Sequence, residues 1–216
     1  MPSGHFNRAI WAAMVIAIVW LGWQYRDTYF NSQGTLEVST DGSRDTLYLA
    51  WSGKIAPPMR EKIAAAVAEH GAGRRTVILS LNSPGGLLGY GDSVNALLRE
   101  IAATHTLETT VETGNACASM CVPVYLQGEV RRASGRSRWL FHEVRRHDVL
   151  KDGPEDTRPE VRRALTDKLF DTYFVPAGIP PGWIRDIRGQ MQGGTDVWRT
   201  GAQLIEQQAG IVLERL

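Results

Sequence analysis

The chain predicts an α/β fold with a mostly parallel sheet, set behind one apolar N-terminal segment. Two observations carry the prediction. Strand-like and helix-like stretches alternate along most of the chain, the order expected of βαβ units. Thr76-Val-Ile-Leu-Ser-Leu81 is a continuous apolar run between turn signals, as a strand buried on both faces would be. A third observation sets the segment apart from the domain: Ala9 to Trp23 carries no charge and only Gly22 as a breaker.

That apolar stretch covers about 15 residues, and Tyr25 with the flanking tryptophans extends it toward the length that spans a bilayer. A signal-peptide core is the competing reading, but no A-x-A-like site follows it. The expected organisation is therefore a short cytoplasmic N-terminus (1–8), a transmembrane signal anchor (9–25), a polar linker (26–45) and one domain (46–216). Arg8 precedes the span, whereas Arg26 and Asp27 nearly cancel after it. The positive-inside rule then leans toward a domain outside the inner membrane, in the periplasm or exterior.

Along the domain, a short strand is expected at 35–39 within the linker, and Thr46–Trp51 alternates as a strand does. Pro58 suits the first turn of a helix running to about His70, which Gly71-Ala-Gly73 ends. After the 76–81 strand comes Asn82-Ser-Pro-Gly-Gly86, then a helix from Ser93 to Ala103 with Val94, Leu97, Leu98 and Ile101 on one face. A strand at 107–112 leads toward Gly114-Asn-Ala-Cys-Ala-Ser-Met-Cys121. Two short strands follow, 129–133 and 138–141. Helices are expected from Pro159 to Val175, from Pro180 to about Gly189 and from Gly201 to Ala209, with a short Asp196–Trp198 segment between the last two.

The formal net charge is +1, which offers no electrostatic case for nucleic acid. Cys117 and Cys121 are the two cysteines. Without a nearby histidine or further cysteine they make a poor metal site. In an exported domain they can pair, since positions i and i+4 of a helix lie within reach of a disulfide; in a reducing compartment they would be buried thiols. Both readings stay open.

Ser119 stands where a strand gives way to a helix, and a helix N-terminus beside it would favour developing negative charge. A helix N-cap is the plainer role for such a serine. A nucleophilic serine needs a base, and of the five histidines His142 directly follows a strand, at an end that can face a cleft. The glycines of 82–86 follow a buried strand, where α/β sheets place ligands and where a bare backbone N–H can donate to an oxyanion.

Leu81-Asn-Ser-Pro-Gly-Gly86, Gly114-x-Ala-x-Ala-Ser-Met120 and Phe141-His142, in that order, resemble the Clp protease proteolytic subunit and its relatives in the ClpP/crotonase superfamily. The resemblance implies a spiral βαβ sandwich and a serine peptidase with no cofactor. Ser119 would be its nucleophile, His142 its general base, and the N–H groups of Gly86 and Met120 its oxyanion hole. Asp196, in Asp196-Val-Trp-Arg-Thr200, matches the family's orienting acid, with Asp186 and Asp171 as fallbacks. Implied partners are a peptide or protein substrate and further copies of the chain in a homo-oligomer. The charged segment from Arg145 to Arg158, the two cysteines and the apolar N-terminus depart from Clp subunits and point to an exported, membrane-anchored relative. Signal peptide peptidase A shares the fold but uses a lysine base, and nothing near Lys54 recommends it. A crotonase-type acyl-CoA enzyme and a non-catalytic binding module on the same fold are the rival readings.

Overall fold

The computed structural model describes residues 11, 14, 34–40, 45–145 and 158–216. The expected 9–25 anchor falls outside these apart from Trp11 and Met14. Among the described residues no helix is long and apolar enough to cross a membrane.

The larger of two sheets is built from β1 (Gly34–Thr40), β2 (Thr46–Gly53), β3 (Thr76–Asn82), β4 (Thr106–Val111), β6 (Val130–Ala133) and β9 (Glu214–Arg215), in the order β1-β2-β3-β4-β6-β9. The first pair is antiparallel and the rest are parallel. The smaller sheet joins β5 (Ala116–Ala118), β7 (Arg138–Phe141) and β8 (Val197–Thr200) in the order β5-β7-β8. β5 runs parallel to β7, and β8 antiparallel to it. The result is an α/β fold with mixed sheets. β1 lies inside the stretch expected to be linker and forms the edge of the large sheet.

Side-chain alternation decides which face of that sheet is covered. Leu47, Leu49, Trp51, Val77, Leu79, Leu81, Leu107 and Val111 are all buried. They meet α1 (Met59–His70) and α2 (Leu88–Ala102), whose inner faces carry Met59 and Ile63, and Val94, Leu98 and Ile101. β3 is buried throughout on the helix side but only in part on the other, where Ser80 is buried. Ile78 is half-buried on the far side, and Ser80 there donates to Glu112 at 3.2 Å. An apolar run reports hydrophobicity without reporting which layer covers it.

The remaining elements are α3 (Cys121–Tyr125), α4 (Pro159–Leu169), α5 (Pro181–Met191) and α6 (Gly201–Glu206). α4 does not run on as one α-helix to Val175; it widens into a π-turn over Phe170–Phe174, a form often found at functional sites. Thr200 caps α6 by a reciprocal capping box with Gln203.

The C-terminal strand is held by a buried cation. Arg131 points to the helix side of β6 and donates to the carbonyls of Ile211, Ala177 and Gly210 at 3.1, 3.2 and 3.0 Å. Burial pulls its pKa below the ordinary arginine value. Arg131→Leu strands these acceptors, and unfolding in urea is expected to show a loss of about 2–4 kcal/mol. A loss within the noise of the measurement would remove Arg131 as the fastener of the C-terminus.

Candidate active site

The loop after β3 and the turn holding Ser119 are built as one piece. Ser83 N donates to Ala116 O at 2.7 Å, Ala118 N donates to Ser83 O at 3.0 Å, and Ala116 N donates to the Asn82 side chain at 3.2 Å. β5, which the sequence did not suggest, exists because of this pairing and its ladder to β7. The other edge of the loop is held by Ile55, whose N–H donates to Gly85 O at 2.8 Å and whose carbonyl accepts from Leu87 N at 2.9 Å. Gly85 has φ +93°, and a Cβ there would sit 2.6 Å from Ala118 O and 2.7 Å from Ser119 Cβ. The second residue of the glycine pair, Gly86, passes so close to Ile55 that a Cβ would meet its carbonyl oxygen at 2.2 Å.

Ser119 itself has φ +53°, the left-handed region that residues other than glycine seldom occupy. It is therefore no helix N-cap: that position belongs to Met120, and no side chain caps it. α3 is five residues long and contains Pro123, so the dipole expected beside the serine contributes little. Cys117 lies in β5 and Cys121 opens α3, not one face of a single helix. A disulfide joins them, with Cα atoms 5.2 Å apart, and the bridge closes the turn whose centre is Ser119. Ser119 N donates to Leu140 O at 2.9 Å, tying that turn to β7 just ahead of His142.

A cavity of about 290 Å³ opens on this turn. Ser119, Gly86, Met120 and His142 all line it, joined by Arg145. Among the described residues neither Gly86 N nor Met120 N reaches an acceptor, and no hydrogen bond joins Ser119 to His142. The Met120 side chain is buried and seated on Gly91 of α2, where a Cβ would stand 2.5 Å from its Cγ. Leu88, Val122, Leu169, Phe170, Phe174 and Met191 supply an apolar wall. The Phe170 and Phe174 rings stack at 4.1 Å between centroids.

His142 Nδ1 lies 2.6 Å from Glu143 O. A carbonyl only accepts, so Nδ1 carries the proton and a neutral ring leaves Nε2 able to take one. The segment beyond is anchored to α4: the buried Glu143 carboxylate pairs with Arg162 at 3.1 Å, and Val144 N donates to Thr166 Oγ1 at 2.9 Å. Asp196 has a different partner from the expected one. Its Oδ1 accepts from Arg145 at 3.2 Å, and both side chains are about half exposed. The β7–β8 ladder ends at Phe141 opposite Val197, one residue short of His142 and Asp196. Asp171, Asp186 and Asp196 are all exposed, and none of them, nor Lys54, lines the cavity. The sequence reading missed Arg145 and the aromatic wall; the i, i+4 pair Phe170 and Phe174 was the available signal. Among the described residues no group of three or more His, Cys, Asp or Glu could hold a metal ion.

Two sheets meeting at a glycine loop and a serine turn define the ClpP-like α/β fold. Among solved structures the chain is similar to a point mutant of ClpP1 from Listeria monocytogenes, with a TM-score of 0.58 and 16% sequence identity over 81% of this chain and 92% of that one. At that identity the likeness is one of fold. No protein-family model and no curated protein matches the chain.

The close contact at Gly85 gives a direct check on this construction. Gly85→Ala places a Cβ against Ala118 O in a backbone conformation that alanine resists, so the loop must shift. A stability loss of about 2 kcal/mol or more in urea unfolding is expected, and a neutral effect would mean the loop and the serine turn are not packed as described.

Proposed function

We propose that the protein is a serine peptidase. The observation that carries this reading is the meeting, in one cavity, of a serine in a left-handed turn, a histidine with Nδ1 already committed to an acceptor, and two residues whose backbone N–H groups have no acceptor among the described residues. In this reading Ser119 Oγ attacks the scissile carbonyl and His142 Nε2 takes its proton. The N–H groups of Gly86 and Met120 receive the oxyanion of the tetrahedral intermediate. His142 then returns the proton to the leaving amine, and water releases the acyl group by the same route in reverse. The Glu143 carbonyl orients the ring, and Asp196, which directly precedes the Val197 paired with Phe141, takes over as orienting acid.

The apolar wall would receive a side chain of the peptide or protein substrate. A coenzyme A thioester enzyme is the weaker reading: an exported domain rarely meets coenzyme A. Export and attachment by the 9–25 segment belong to the same proposal, supported by the uncharged N-terminal stretch and by a disulfide that suits an oxidising compartment.

A fluorophosphonate probe should label the wild-type chain and spare Ser119→Ala, with His142→Ala lowering the labelling rate by about three orders of magnitude or more. Equal labelling of wild type and Ser119→Ala, or none of either, would overturn the peptidase reading and favour a binding module that kept the fold.

A further inference from the structure

The peptidase reading leaves one cation of the cavity without a task. Arg145 lines the same space as Ser119 and His142, in a wall otherwise dominated by apolar side chains. Its guanidinium already holds a carboxylate, that of Asp196 at 3.2 Å, a residue outside the cavity lining. Such a half-exposed pair is weakly held and open to exchange. Asp196 directly precedes Val197, and His142 directly follows the Phe141 paired with it. While Arg145 holds Asp196, the imidazole uses the neutral Glu143 carbonyl at 2.6 Å.

Resting on that peptidase reading, we propose that Arg145 is a specificity residue that binds a carboxylate of the peptide substrate and, in doing so, releases Asp196 to His142. The geometry makes the two events one exchange. A substrate carboxylate replaces Asp196 on the guanidinium, and Asp196 becomes the acceptor for the Nδ1–H of His142 in place of the Glu143 carbonyl. In the exchange Arg145 trades the Asp196 carboxylate for that of the substrate, while Asp196 faces the imidazolium that forms during proton transfer. Glu143 and Val144 are clamped to α4 by Arg162 and Thr166, so Arg145 is presented from a fixed stem and only side chains need to move. A carboxylate is the group a guanidinium recognises best, through paired N–H donors. On a peptide it comes from an acidic side chain near the cleaved bond or from the chain's own C-terminus.

The test uses the full-length chain and fluorogenic peptides sharing a leucine at the cleaved position. One pair differs by Glu against Gln beside it, and a second by a free C-terminal carboxylate against an amide. Wild type is expected to favour the carboxylate member of at least one pair by about fivefold or more in kcat/KM. The responding pair tells side chain from C-terminus. Arg145→Gln should bring that ratio to about one, Arg145→Lys should keep part of it, and Arg145→Glu should turn the preference toward a lysine-bearing peptide. Binding of the same peptides to Ser119→Ala, followed by fluorescence anisotropy, should show the same order without turnover. Cleavage by wild type with no preference in either pair, or a preference that survives in Arg145→Gln, overturns the assignment while the peptidase reading stands. Equal binding of all four peptides to Ser119→Ala overturns it whatever the cleavage rates. Loss of both cleavage and serine labelling in wild type takes down the peptidase reading and this inference together.

Discussion

The two-way hydrogen bonding between Ser83 and the strand Ala116–Ala118 is the constraint on which the rest of the structure depends. It is the seam between the large sheet, through β3, and the small one, through β5. From it the chain must pass Gly85 within contact of Ala118 O and Ser119 Cβ, which only a residue without Cβ allows. The same seam delivers the serine turn to β7, because Ser119 N continues the pairing onto Leu140 O at 2.9 Å. Strand, glycine loop, serine turn and the strand that leads into His142 are consequently one hydrogen-bonded unit.

A left-handed residue other than glycine costs on the order of 1–3 kcal/mol and persists only where its surroundings hold it. At Ser119 those surroundings are explicit. The Cys117–Cys121 bridge spans the turn, Leu140 takes its N–H, and Met120 is locked into the groove left by Gly91. What the turn obtains is electrostatic. Among the described residues two backbone donors, Gly86 N and Met120 N, have no acceptor, and both residues line the cavity. This is a local effect of directed N–H groups. The five residues of α3 are too few for a helix dipole to replace it.

Residues beyond His142 give this site its particular character. Glu143 and Val144 are pinned to α4, and α4 widens into the π-turn that sets Phe170 and Phe174 against the cavity. From the sequence the stretch after His142 reads only as charged and different from Clp subunits; its role as the anchor of a cavity wall follows from the buried Glu143 carboxylate and the Thr166 hydroxyl, partners 19 and 22 residues away. Asp196 stood out in the sequence only through its motif, and the structure gives it Arg145 as partner. That pairing was not legible, because an ion pair across 51 residues leaves no periodic trace.

The pattern of residues by itself determined the order of the longer strands and helices, since alternation and turn residues are local and act over a few positions. It also pointed to Ser119, His142 and the glycines of 82–86, because a glycine pair after a strand and a serine at a junction each answer a local backbone demand; Gly86 and Met120 as donors came only from the motif resemblance. Tertiary structure alone decided which face of β3 is covered, that β5 and β9 exist, that the cysteines bridge across a turn, and which partner each charged side chain takes. Those outcomes depend on contacts between segments far apart in the chain, where geometry and competition between partners decide and no local preference can.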